Sequence, residues 1–152
     1  MLSTIERRVY INPKYLNSDI NQHIFDEVSR TSLNECTKKY GHILSIKHII
    51  DIVNIEDTIF KVKFEAETLK PEPKNIFTGV VCMVYKDGIF VNICNKQKML
   101  IPSITIKGYV FDEVNSEYVN GKKRIKEGDK IKIMVTASKY NNKNFSCVGS
   151  LV

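Results

Sequence analysis

The chain lacks most of what would mark an enzyme, a metalloprotein or a membrane protein. Its four cysteines, Cys36, Cys82, Cys94 and Cys147, form no C-x-x-C pair, and its three histidines, His23, His42 and His48, do not cluster with them. Zinc ligands usually arrive in close pairs, so no metal site is expected. The cysteines read instead as free thiols of an intracellular, reducing compartment, nucleus or cytoplasm. No apolar run approaches the roughly 20 residues that span a bilayer, and no membrane partner is expected. Met1-Leu2-Ser3-Thr4-Ile5-Glu6 shows no basic segment leading into an apolar one, so no signal peptide is expected either. Paired carboxylates, a nucleophile with a base at motif spacing and a glycine-rich phosphate loop are all missing. The chain therefore reads as non-catalytic and without a cofactor, and its histidines read as surface or packing residues. It has no internal repeat and no low-complexity tract.

What is present is β pattern. Phe60-Lys61-Val62-Lys63-Phe64-Glu65-Ala66-Glu67 puts its apolar side chains on one face and its charges on the other. Lys130-Ile131-Lys132-Ile133-Met134-Val135 does much the same. A period of two marks half-buried strands of antiparallel sheets. Between them Lys70-Pro71-Glu72-Pro73-Lys74 is a stiff, polar break. The 152 residues thus divide into two small modules, 1–76 and 77–152. The first holds 11 basic and 11 acidic residues, the second 12 and 6, so the second carries the whole net charge of +6. Only the second module is expected to meet an anion.

The first module reads as β-α-β-β. Val9-Tyr10-Ile11 is a short strand ended by Asn12-Pro13. A helix capped by Asn17 or Ser18 follows, with Asp19 at its positive end. Its buried stripe is Ile20, Ile24, Val28, Leu33, Cys36 and Tyr40, with Lys38 and Lys39 in the last turn and Gly41 as the terminator. Ile43 to Val53 is a long strand, Asn54 to Asp57 a polar turn, and the Phe60 strand returns.

The second module reads as five short strands: Thr78–Tyr85, Ile89–Cys94, Met99–Pro102, Lys130–Ala137 and Asn144–Leu151. Turns at Lys86-Asp87-Gly88, Asn95–Lys98 and Asn141–Lys143 join the hairpins, and 103–127 is a long connection with strand-like pieces near Tyr109-Val110-Phe111. Short strands with one long crossing connection point to a Greek-key barrel of the OB type. Such barrels bind single-stranded nucleic acid across strands two and three, with cations for phosphates and aromatic faces for bases. Val91 and Ile93 should point inward, and Phe90 outward onto that face. Lys86, Lys96 and Lys98 lie at the ends of those strands, Lys132 alternates outward, and Lys143 sits in the last turn beside Tyr140. These seven are the candidate RNA-binding residues. The basic run Lys122-Lys123-Arg124 reads as a solvated loop.

Several segments occur in an order that resembles the stalk subunit of multisubunit DNA-directed RNA polymerases: Lys39-Tyr40-Gly41-His42-Ile43-Leu44, the Phe60–Glu67 strand, Leu69-Lys70-Pro71, Gly79-x-Val81…Gly88-Ile89-Phe90-Val91, and Val148-Gly149-Ser150-Leu151. This family comprises the seventh subunit of eukaryotic polymerase II, its archaeal counterpart and reduced versions in large DNA viruses. The resemblance implies a truncated ribonucleoprotein-like (RNP-like) tip followed by an OB barrel of the ribosomal-protein-S-one kind. It implies that the tip docks on the large polymerase subunits near the clamp, with Tyr40, Gly41, His42, Asn54 and Ile55 near that contact. It implies that the barrel touches nascent single-stranded RNA, and that a smaller helical stalk partner binds. A viral version would also be packaged in a virion. The sequence departs from the family where Glu72 replaces an aromatic after Lys-Pro, Pro73 follows and Lys74-Asn75 replace Gly-Glu, and where Asp87 and Ile101 stand in place of an aromatic and a histidine. A stand-alone RNA-binding or translation-factor-like module with the same barrel, or a scaffold whose barrel binds protein, remains the alternative.

Overall fold

The structure is a computed structural model that describes residues 1–17 and 19–152. The chain forms two compact units, Met1–Lys70 and Pro71–Val152.

The first unit is built from β1 (Leu2–Tyr10), α1 (Ile20–Ser32), β2 (Cys36–Thr37), β3 (Gly41–Glu56) and β4 (Ile59–Leu69). Its antiparallel sheet has the order β1-β4-β3-β2. The alternation in β4 explains its central place. Phe60, Val62, Phe64 and Ala66 are buried with Ile5 and Val9 of β1 and with Ile24 and Val28 of α1. Each large aliphatic or aromatic side chain of this set contributes about 1.5–3 kcal/mol on full burial. The opposite face carries charge, where Lys61 and Lys63 approach Glu6 of β1 at 3.7 and 3.9 Å.

Three features differ from the sequence expectation. The helix stops at Ser32 rather than near Tyr40, because Leu33 turns to extended backbone and Asn34 takes φ +67°. Cys36 therefore lies on β2, Leu33 is exposed, and Lys38 and Lys39 lie in a turn rather than at a helix end. Gly41 does have positive φ, +75°, but it starts β3 instead of ending a helix. Its need is a close approach, since a Cβ there would lie 2.2 Å from the Leu69 carbonyl oxygen. At the helix start Asp19 is the cap residue without a side-chain cap bond, and Asn17 accepts the Asp19 N–H at 2.9 Å. Ser18 lies outside the described residues. Lastly, β1 begins at Leu2 and β3 runs on through Asn54 and Ile55 to Glu56, so the turn is only Asp57-Thr58.

The second unit contains β5 (Ile76–Tyr85), β6 (Gly88–Ile93), β7 (Gln97–Pro102), β8 (Val110–Asp112), β9 (Glu117–Asn120), β10 (Lys123–Ile125), β11 (Lys130–Asn141) and β12 (Asn144–Leu151). Five of them close a barrel in the order β11-β12-β7-β6-β5. Twelve-residue β11 makes closure possible, because its first half pairs with β5 and its second half with β12. Val81, Ile89, Val91, Ile93, Met99, Ile101, Ile133 and Val135 fill the interior. Gly149 makes room for them, since a Cβ there would lie 2.4 Å from Met99 Sδ.

The long connection is not a loop. β8, β9 and β10 form a separate three-stranded antiparallel sheet, with Lys123 and Arg124 on β10 rather than in a solvated loop. Tyr118 and Ile125 share its buried row, and Tyr118 Oη donates to the carbonyls of Tyr85 and Lys86 at 2.8 and 2.9 Å.

Candidate nucleic-acid interface

β6 alternates as its sequence requires. Ile89, Val91 and Ile93 are buried, while Phe90 and Asn92 are half-buried on the outside of the barrel. The register extends Phe90 into a row. Met83 of β5 pairs with Phe90, Phe90 with Leu100 of β7, Leu100 with Val148 of β12, and Val148 with Ala137 of β11. Five adjacent strands thus present an unbroken apolar band. With strands about 4.8 Å apart, Met83 to Val148 spans about 14 Å.

Next to this band runs a polar row. Asn92 pairs with Lys98, and Ser146 pairs with Lys139. Cys147 pairs with Met99 in the parallel β7–β12 ladder, so Ser146 lies beside Lys98. Lys98 and Lys139 thus flank Ser146. A groove of about 520 Å³ opens here, with Phe90, Lys98, Leu100, Lys139, Ser146 and Val148 along it and no carboxylate among its lining residues. Gln97 is buried behind it and fixes its floor, donating through Nε2 to the carbonyl of Phe145 at 2.8 Å.

Of the seven candidate RNA-binding residues, two line the groove. Phe90 and Lys98 share the groove, and Lys98 sits on a strand because the turn covers only Cys94 to Lys96. Lys96 and Lys143 lie at the same end of the barrel, since the β6–β7 and β11–β12 turns precede parallel strands. Lys86 lies at the other end of β6, in the turn that Tyr118 holds. Lys132 pairs with Thr78 on the β11–β5 seam and does not line the groove. Tyr140 pairs with Phe145 and packs its ring against it at 5.1 Å, on the barrel-interior side of β11.

A β-bulge explains the last placement. The β11–β12 register slips between Val135 and Ala137, and a slip of one residue exchanges the two faces of a strand. Counting outward positions from Lys132 would place Tyr140 outside. Beyond the bulge the outward residue is Lys139, which the sequence reading missed. Thr136 Oγ1 donates to the Val148 carbonyl at 3.0 Å, holding the irregular turn of strand. Leu100 was also missed, although the alternation of Met99-Leu100-Ile101 carried the signal.

The five candidate docking residues of the first unit are not one patch. Tyr40 packs against the core, and His42, only 8% exposed, pairs with Leu69. Asn54 and Ile55 lie near the opposite end of the 16-residue β3, on the order of 40 Å away at strand rise.

The sequence model of the S1 RNA binding domain matches residues 70–147, just over half of the chain. Among solved structures, the apo form of Mycoplasma genitalium RNase R is similar to this chain at 21% identity and a TM-score of 0.43. The same enzyme in complex with ribose methylated single-stranded RNA is similar at 21% identity and a TM-score of 0.44. Each likeness covers 53% of this chain and 13% of the RNase R chain. The match over residues 70–147 takes in most of the closed barrel, and the chain belongs to the S1 RNA binding domain family.

Proposed function

We propose that this chain is a non-catalytic RNA-binding protein whose barrel holds a single-stranded RNA segment in the Phe90 groove. Phe90 stacks on a base, the adjoining Leu100 and Val148 pack against sugar and base, and Lys98 and Lys139 meet phosphates. The observation that carries this reading is the pairing of an outward-facing, half-buried apolar band with two lysines in a groove that no carboxylate lines. Aromatic stacking contributes about 1–3 kcal/mol per base without regard to sequence. Phosphate contacts add an electrostatic term that weakens with salt. Titrating a fluorescent oligouridylate with the full chain at increasing salt tests it. Saturable binding that weakens log-linearly with salt is expected, and no binding at low salt overturns the reading.

A finer reading is that the chain works as a polymerase stalk subunit in the nucleus or cytoplasm. Under it the first unit is the RNP-like tip that docks on the large polymerase subunits beside the helical partner, and the barrel meets the emerging transcript. Its support is the order of segments in the sequence and the contrast between an electroneutral first half and a basic second half. Affinity purification of the tagged chain from its native source, followed by probing for the large polymerase subunits, tests it. Recovery without those subunits removes this reading and leaves RNA binding standing.

A further inference from the structure

Among the described residues the outer edge of β1 is unpaired, and its sequence complements itself. In the order β1-β4-β3-β2 this strand has β4 on one side only. The register with β4 is unbroken from Leu2↔Glu67 to Tyr10↔Ile59. Its phase follows from the two ends, where Thr68 N–H donates to the Met1 carbonyl at 2.7 Å and Ile11 N–H to the Thr58 carbonyl at 2.9 Å. Odd-numbered residues therefore turn their peptide groups toward β4. Leu2, Thr4, Glu6, Arg8 and Tyr10 turn theirs outward, an open template for another strand.

We infer that β1 pairs with β1 of a second copy, antiparallel about a two-fold axis at Arg7. Four registers can join outward-facing residues near the strand centre, and a two-fold at Ile5 sets Thr4 opposite Glu6 and Leu2 opposite Arg8, with no opposite charges facing. A two-fold at Glu6 places Glu6 opposite its own copy, and a two-fold at Arg8 does the same for Arg8. Like charges directly opposite are destabilising. Only the axis at Arg7 sets Glu6 opposite Arg8, twice, with Thr4 opposite Tyr10 and Ile5 opposite Val9. Arg8 is exposed and forms no ion pair with the described residues of its own chain, so it is available to the second copy. Arg7 then faces Arg7, a like-charge pair that Glu35 at 3.3 Å offsets just as Lys61 and Lys63 would offset Glu6 against Glu6, so the register rests on the two Glu6–Arg8 pairs.

The groove beside this edge agrees. Arg8, Val9 and Tyr10 line it on the strand side, and Glu27, Thr31 and Ser32 of α1 line the other wall. The edge carries no proline. The pairing involves seven residues per chain, Thr4 to Tyr10, which is smaller than a standard stable interface. The dimer is therefore weak and forms at high protein concentration.

Sedimentation of the full chain across micromolar to millimolar concentration is the test, combined with residue-resolved amide exchange. A reversible dimer is expected, with the amides of Glu6, Arg8 and Tyr10 gaining protection as concentration rises. Ile5, Arg7 and Val9, already bonded to β4, should not change. Arg8→Glu should return the protein to monomer, and Arg8→Glu with Glu6→Arg should restore the dimer. Glu6 also faces Lys61 and Lys63, so where the swapped chain fails to fold, Thr4→Pro replaces it as a second disruptive variant, removing an outward N–H that β4 does not use. A monomer throughout, a dimer indifferent to Arg8→Glu and Thr4→Pro, or protection of some other edge overturns the inference. RNA titration of the monomeric variant is expected to match the parent, since the two sites share no residue.

Discussion

Phe90 and Leu100 stand directly opposite one another on the outside of β6 and β7, at the middle of the apolar band. Phe90 also touches the Tyr85 ring, with centroids 5.8 Å apart, so its aromatic face is held rather than free to rotate away. Phe90→Ala should weaken binding of oligouridylate by about 5- to 150-fold, the equivalent of one stacked base. The melting temperature should fall little, because the ring is only half-buried. Fluorescence anisotropy beside a thermal melt reads both.

Lys98 and Lys139 line the groove and Lys132 does not, which makes charge reversal discriminating. Lys98→Glu and Lys139→Glu should each reduce the slope of log affinity against log salt by about 0.7, the value of one phosphate contact on a single strand. Lys132→Glu has the same net charge change and should leave that slope nearly intact. Equal effects from all three would assign the binding to overall charge and not to the groove.

The sequence carried the strands better than it carried their irregularities. Period-two alternation located β4, β6 and β11, because one buried face forces it. The inward side of β6, and with it the outward Phe90, followed from Ile89-x-Val91-x-Ile93. A bulge leaves no comparable trace, since Thr136-Ala137-Ser138 is small and compatible with either register. That one slip moved Lys139 into the site and Tyr140 to the inner side. The helix end failed for a related reason. Cys36 and Tyr40 continue a helical spacing from Val28, yet Asn34 reverses the chain, and tertiary pairing of Cys36 with His42 decides the outcome. The three-stranded sheet of β8 to β10 was seen only as strand-like pieces, because three- and four-residue strands are too short to show a period.

Gly41 separates backbone strain from crowding. Asparagine tolerates positive φ better than most residues, so a purely conformational need would make Gly41→Asn milder than Gly41→Ala. A Cβ 2.2 Å from the Leu69 oxygen and 2.7 Å from Lys70 Cα meets backbone, which cannot step aside as a flexible side chain does. Both substitutions should therefore cost about 2–4 kcal/mol, with Gly41→Val worse than either. Chemical denaturation followed by the exposure of Phe64 and its neighbours would show it, and a mild Gly41→Asn would assign the constraint to φ alone.

Tyr118 ties the three-stranded sheet to the β5–β6 turn through two carbonyls, and this gives a pH signature. Burial, with the charges of Asp87 and Tyr85 adding to it, holds its phenol above the ordinary value of 10.0. The folded state thus keeps the proton longer than the unfolded state does. Its contribution is complete below about pH 10 and declines as pH rises through the folded value. Tyr118→Phe should cost about 0.5–1.5 kcal/mol at neutral pH, the net worth of one O–H whose single proton is shared between the two carbonyls. The gap between parent and variant should then narrow above about pH 10, because only the parent loses stability by this ionisation. Paired urea denaturation at neutral and alkaline pH measures it, and a gap that stays constant would mean that the hydroxyl is not bonded as the geometry indicates.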